Sequence, residues 1–227
     1  MVKKKTFITI VVLLILVSGF IFTTYEHLQA KEVNTNTGEM NILILCVDPS
    51  ESKAGVGGVD AIVILKIKNW HVNSFEPIFP GHIYHPTATP PQDLQEHLMQ
   101  YKIDPSHYYL HDCFWEGDTQ AGAKLASEAL EYSTGIKTNF VITINPDAVD
   151  AIIQAVGPVY VTGQGYINGN SIELIRDEMD NQDISRRKSV NSLFHGILKG
   201  SHDKSKYPAL IYAIITQYIK GNIIVVL

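Results

Sequence analysis

The chain has 227 residues, of which 45% are hydrophobic, and it carries a formal net charge of −5. This length fits one N-terminal segment followed by one domain of ordinary size. Beyond residue 24 the chain holds 15 basic and 23 acidic residues. Because a nucleic-acid-binding protein needs a basic face, this balance excludes that class of partner.

Residues 1–25 predict a cytoplasmic stub and a membrane anchor. Lysines at positions 3–5 precede a nearly unbroken apolar run over residues 7–22. About 18 apolar residues approach the minimum for a helix that spans a bilayer, and flanking lysines stay in the cytoplasm. We therefore expect a single-pass protein of the cell membrane, in contact with the lipid bilayer, with its C-terminal domain outside. A cleaved signal peptide ending at residues 28–30 is the alternative.

Residues 26–40 are polar and predict a stalk, so that residues 41–227 would form the extracytoplasmic domain. The domain opens with apolar runs typical of strands covered on both faces, at residues 41–47, 61–67 and 72–79. Cys46 lies inside the first run, so we expect a free core thiol rather than a disulfide with Cys113.

The next part of the chain predicts a loop, two helices and a strand. Four prolines mark residues 80–91 as a loop. A short helix is predicted at residues 92–101, directly after this loop. Residues 107–111 (HYYLH) predict a strand. Residues 119–132 predict a helix with an alanine-rich face that ends at Gly135.

Residues 133–162 carry the clearest pattern in the chain. A buried strand leads into a helix that Asn145 would cap with Pro146 at its first position, and a short strand follows Gly157 and Pro158. Strand–helix–strand order is typical of an α/β domain. We predict a central mixed sheet flanked by helices.

The last part of the chain predicts a loop and three helices. The loop covers residues 163–169, and the helices cover residues 171–179, 185–198 and 209–219. The apolar ending, GNIIVVL, receives no assignment.

Two aspartates flank the first loop of the domain. Asp48 ends the first predicted strand and Asp60 opens the second, across a glycine-rich loop. Ligands of open α/β sheets bind beyond the strand ends, and Mg²⁺ prefers hard oxygen ligands. Together with phosphate oxygens, the two carboxylates would suit Mg²⁺. Ordinary turn chemistry at strand ends is the alternative.

The order of residues 133–162 resembles a diagnostic segment of the LytR-CpsA-Psr family. That family also places acids at the positions of Asp48 and Asp60, with the same spacing. Its members are membrane-anchored envelope proteins that attach polyprenyl-pyrophosphate-linked glycans to cell-wall material. The resemblance implies a prenyl-phosphate-linked or envelope glycan as the partner, with Mg²⁺ held on the two aspartates.

The resemblance extends to two candidate phosphate-binding arginines. The family pattern is RxR at the end of one helix and GDxxR at the start of the next. Residues 183–186 match DxxR, and Arg176 stands where the second arginine of RxR would stand. The resemblance therefore implies that the planar guanidinium groups of Arg176 and Arg186 bind phosphate oxygens through bidentate hydrogen bonds. Asp183 as a helix cap with a solvated Arg186 is the alternative.

Several family arginines are missing here. Gly58, Leu174 and Ser189 stand at arginine positions, and the family's Pro-Arg-Asp turn is replaced by residues 79–82 (FPGH). The chain is thus similar to an uncharacterised group of archaeal envelope proteins that share this fold (domain of unknown function 4012). Since these cations would stabilise the leaving pyrophosphate, we expect binding rather than transfer.

Two other functions stay open from the sequence. The first is an active glycopolymer transferase acting from a polyprenyl pyrophosphate on the cell envelope. The second is a Zn²⁺-dependent hydrolase, with His82, His85 and one carboxylate as ligands. His107, His111 and Asp112 lie on or beside the strand that follows that loop.

Overall fold

The computed structural model describes residues 39–51, 53–69, 71–171 and 186–226. The predicted anchor at residues 1–25 and nearly all of the helix predicted at residues 171–179 lie outside this part of the chain. No helix within the described residues is long and apolar enough to cross a membrane.

A five-stranded mixed sheet forms the centre of the domain. Its strands are β1 (Glu39–Asp48), β2 (Gly58–Lys68), β3 (His71–Ile78), β4 (Phe140–Ile144) and β7 (Ile223–Val226). They lie in the order β3-β2-β1-β4-β7. The pair β1–β4 is parallel, whereas the other three neighbouring pairs are antiparallel. The predicted mixed sheet is confirmed.

Five α-helices occur in the described residues. They are α1 (Gln92–Gln100), α2 (Thr119–Thr134), α3 (Pro146–Val156), α4 (Arg186–Gly200) and α5 (Tyr207–Ile219). Asp118 caps α2 by accepting from two backbone N–H groups, and Gly135 ends that helix in the left-handed conformation. Asn145 caps α3 as predicted, with Pro146 at its start.

Helices cover both faces of the sheet. On one face α2 packs together with Ile83, Leu110 and Phe114 against the sheet. The strand side chains that they contact alternate along β1 and β2 and are Leu43, Leu45, Val47, Val59, Ile62 and Ile64. On the other face α3, α4 and α5 pack on the remaining side chains, which include Ile42, Cys46, Ala61 and Leu65. The result is a three-layer α/β/α domain, whose sheet is buried on both sides.

Two sequence assignments need correction, and one unassigned segment can now be placed. Residues 107–111 do not form a strand, since Tyr109 makes a single bridge with Tyr84 and Leu110–Asp112 is a 3₁₀ turn. Within this segment Tyr108 and Leu110 are buried, Tyr108 against Leu94 and Leu98 and Leu110 in the core beside the sheet. The predicted loop at residues 163–169 contains β6 (Gly165–Ile167), which pairs with β5 (Val159–Val161) as a hairpin. The unassigned apolar ending supplies β7.

Both cysteines are free and buried, as the sequence predicts. Burial, together with the nearby Asp60 carboxylate, raises the pKa of the Cys46 thiol to about 12. Burial also raises the pKa of the Cys113 thiol well above its ordinary value.

A thiol-labelling experiment tests this packing. Because the thiolate is the reactive form, neither cysteine should react with a maleimide at pH 8 while the full chain is folded. Both should react once guanidinium unfolds it. Rapid labelling of Cys46 in the folded chain would contradict the buried position assigned to β1.

Candidate functional site

A β-bulge at Asp60 shapes the end of the sheet where the site lies. Cys46 pairs with Ala61 and Val47 pairs with Val59, so Asp60 is an extra residue opposite the β1 strand. Bulges bend a strand and redirect a side chain, and they are frequent beside active sites. Here the extra residue allows Val59 to face the same core as Ile62, while the Asp60 carboxylate stands apart from the alternation.

Asp48 organises the turn that leaves β1. Its side chain is buried, and its Oδ1 accepts from the Ser50 backbone N–H at 2.9 Å. The 3₁₀ turn Pro49–Glu51 follows directly. Aspartate bonding to the backbone two residues ahead is a common way to fix such a turn. The buried carboxylate therefore helps to set the position from which Glu51 reaches the site.

His111 is held in place by its neighbours in the chain. It lies in the 3₁₀ turn Leu110–Asp112, which packs against β2. Leu110 and Phe114 are buried in the core on either side of it. The Leu110 backbone N–H also donates to the Ile83 carbonyl at 2.8 Å. This turn presents the imidazole to the end of β2.

Glu51, Asp60 and His111 converge at this end of the sheet. One donor atom from each lies within 4.8 Å of the other two, and His111 Nε2 stands 3.2 Å from Glu51 Oε2. The other ring nitrogen, Nδ1, lies 2.9 Å from Oδ1 of Asp112. In the described part of the chain, these three side chains form the group that is close enough to hold a metal ion. We call it the Glu51–Asp60–His111 cluster.

Gly58 leaves room for the cluster. A Cβ atom at this position would stand 2.4 Å from Glu51 Oε2 and 3.0 Å from His111 Cε1. Any side chain at position 58 would therefore push Glu51 away from the imidazole. Gly58 is a position where the resembling family has an arginine, and here Glu51 and His111 fill the space beside it.

Electrostatics of the cluster favour a charged imidazole in the absence of a metal. Burial lowers the pKa of His111, but hydrogen bonds to Asp112 and Glu51 outweigh that effect and raise the pKa to about 10. The charged imidazole thus faces a carboxylate on each side, Glu51 at Nε2 and Asp112 at Nδ1.

The structure brings together only part of the site predicted from the sequence. Asp60 belongs to the cluster, whereas Asp48 supports the turn beside it. Arg176 lies outside the described residues. Arg186 is the first residue of α4, but its side chain lies outside the described part of the structure. The Mg²⁺ site on the two aspartates and the phosphate contacts of the two arginines therefore stay predictions.

The alternative histidine site has a different structural setting. His85 has both ring nitrogens engaged: Nε2 lies 3.0 Å from Glu128 Oε2, and Nδ1 accepts from the backbone N–H groups of Thr87 and Ala88. His82 is exposed on the same loop. His85 thus secures the loop that follows β3.

Glu51 is the residue of the cluster that the sequence did not single out. It lies in the loop after β1, where a lone glutamate carries no recognisable pattern. The sequence places His111 and Asp112 on or beside a predicted strand, and nothing in their pattern connects them with Glu51 or Asp60. Only the fold places the 3₁₀ turn that contains them beside the end of β2.

Stability as a function of pH tests the electrostatics, measured with a chelator present. The folded-state pKa of His111 exceeds the ordinary unfolded value of about 6.5, so its contribution is complete below that pH. It is lost as pH rises toward about 10. His111→Gln should therefore lower the free energy of unfolding more at pH 6 than at pH 10. An equal loss at both pH values would contradict a charged imidazole.

Comparison with solved structures shows the same fold at low sequence identity. Protein gbs0355 from Streptococcus agalactiae has a TM-score of 0.56 and 16% identity, over 86% of this chain and 71% of that chain. TagV from B. subtilis has a TM-score of 0.53 and 12% identity, over 83% and 74% of the two chains. TagT, solved bound to LI-WTA, has a TM-score of 0.51 and 15% identity, over 87% and 73%.

Comparison with protein families gives one direct match. No curated protein matches the sequence. A family model described as "Protein of unknown function (DUF4012)" matches residues 37–179, which is more than half of the chain. The archaeal part of the expectation receives no support from these comparisons. The chain belongs to the DUF4012 family, and its fold is that of a divergent LytR-CpsA-Psr-like domain.

Proposed function

We propose that this chain is an envelope protein that binds a glycan carried on a prenyl phosphate. The N-terminal apolar segment would anchor it in the cell membrane and leave the α/β domain outside. The observation that carries the proposal is the Glu51–Asp60–His111 cluster at the end of β1 and β2. It is supported by the fold shared with TagV and with TagT, which was solved bound to LI-WTA.

A phosphate at this place requires a cation. The cluster and the adjacent Asp112 present three carboxylates. Negative carboxylates repel a negative phosphate group, and the repulsion is stronger where water is partly excluded. A divalent cation held by Asp60 and its neighbours removes that repulsion and supplies positive charge to the phosphate oxygens. Mg²⁺ is the ion expected from the sequence.

Two of the missing arginines have been replaced by structural residues. Gly58 gives its space to Glu51 and His111. Ser189 lies in α4, and its hydroxyl donates to the Thr162 carbonyl at 2.9 Å, which ties the helix to the loop after β5. Neither position can place a cation on a leaving pyrophosphate. Transfer depends on such preorganised cations, so binding is the activity that these residues favour.

Binding of a prenyl pyrophosphate tests the proposal. The measurement is a fluorescence or calorimetric titration of a prenyl pyrophosphate into the full chain, held in lipid nanodiscs. A chelator should abolish binding, and Asp60→Asn should weaken it by at least about tenfold, since the carboxylate is a metal ligand worth at least about 1.4 kcal/mol. Asp147→Asn is the matched control, because Asp147 is exposed at the start of α3.

Three results would count against the binding proposal. Affinity that is unchanged in Asp60→Asn and in chelator would show that the phosphate binds elsewhere or without a metal. Robust glycan transfer that is lost in Arg186→Ala would restore the transferase. Turnover that requires Zn²⁺ and is lost in His82→Ala or His85→Ala would favour the hydrolase.

A further inference from the structure

We propose that Glu51, Asp60 and His111 form a binding site for a transition-metal ion of the Zn²⁺ type. The site keeps one coordination position for an outside ligand. This inference deepens the proposed function and rests on it for the biological role of the metal, but the metal itself can be measured without any lipid.

The donor atoms have the chemistry of such a site. An imidazole nitrogen and two carboxylates are common ligands of Zn²⁺, and three protein ligands are typical of zinc sites that leave a position open. Mg²⁺ prefers oxygen ligands with nearly ideal octahedral geometry. A nitrogen donor at the centre of the cluster therefore selects against Mg²⁺ and for a transition metal.

The distances are close to those of a bound site. Two ligands that each lie about 2.0 Å from a tetrahedral Zn²⁺ are separated by about 3.3 Å. His111 Nε2 and Glu51 Oε2 are 3.2 Å apart, and the donor atom of Asp60 lies within 4.8 Å of both. All three donor atoms therefore lie within reach of one ion.

Asp112 acts as a positioning residue for His111. Its side chain is only 10% exposed, and its Oδ1 lies 2.9 Å from His111 Nδ1. A metal-binding histidine usually donates its second ring N–H to a carboxylate, which fixes the ring orientation and leaves the other nitrogen for the metal. Asp112 therefore directs Nε2 toward Glu51 and Asp60.

The bulge and the glycine complete the site. The extra residue in β2 places the Asp60 carboxylate at the end of the strand, outside the alternation of buried side chains. At Gly58 the absence of a side chain allows Glu51 to remain beside His111. Both features lie on β2, which is paired on both sides in the sheet, and sites built on strands are held more precisely than sites on loops.

Metal titration of the full chain tests the inference. The protein is purified in detergent, stripped with a chelator, and titrated with ZnCl₂ or MgCl₂ alone by calorimetry, in competition with a chromophoric chelator. We expect one Zn²⁺ per chain, bound at least about 100-fold more tightly than Mg²⁺. His111→Gln should weaken Zn²⁺ binding at least about tenfold, and Asp112→Asn by about 10–100-fold.

A cobalt spectrum separates positioning from simple structural damage. Co²⁺ bound in place of Zn²⁺ should give visible absorption bands, which should shift in Asp112→Asn and weaken in His111→Gln. Asp112→Glu should restore part of the spectrum. Circular dichroism checks the fold of each variant, and Glu51→Gln replaces His111→Gln if that variant does not fold. His82→Gln is the control, because His82 is an exposed histidine of the loop after β3.

Clear outcomes would overturn the site. Zn²⁺ affinity that is unchanged in both His111→Gln and Glu51→Gln would show that the cluster is an ion pair only. Loss of affinity in His82→Gln would move the metal to the other loop. Equal affinity for Mg²⁺ and Zn²⁺ would remove the imidazole from the ligand set. Tight Zn²⁺ binding without any affinity for a prenyl pyrophosphate would support the metal site and refute the proposed function.

Discussion

The antiparallel pairing of β1 with β2, interrupted by one extra residue at Asp60, is the constraint on which the site depends. Both strands are buried by helices on their two faces, so a shift of one residue in register would move whole sets of apolar side chains to the wrong layer. The bulge changes the register by one residue, so that Val59 and Ile62 both face the same core. Its consequence is that a carboxylate stands at the end of the strand, beside the turns that contain Glu51 and His111.

The side chains at this end of the sheet differ from those that the family resemblance implies: a glutamate and a histidine stand beside Asp60, where arginines were expected nearby. An arginine at position 58 would compete for the space that Glu51 and His111 occupy. An arginine at position 189 would replace the hydroxyl that binds the Thr162 carbonyl. Gly58 and Ser189 thus both have local packing roles, and under the proposed function the site would itself require a cation to hold a phosphate. Phosphate binding and metal binding become one event in this account.

Much of the fold could be predicted because its elements have local signals. Asn145 with Pro146, and Gly135 after an alanine-rich helix, mark helix ends through backbone geometry that few other residues satisfy. Residues 107–111 misled the prediction, because burial of every second residue, here Tyr108 and Leu110, is also what a half-buried strand shows. The short apolar run Ile223–Val226 had no period that separates strand from helix. Asp60 could be proposed from its position at a strand end, whereas Glu51 joins the cluster only through the tertiary structure.

A crystal structure of the zinc-loaded protein, with anomalous data collected at the zinc absorption edge, tests the central claim most directly. The account predicts a single strong anomalous peak about 2.0 Å from His111 Nε2 and within bonding distance of Glu51 and Asp60. Asp112 should still bind the Nδ1 side of the ring. A zinc peak on other residues, with His111 still paired to Glu51, would contradict it.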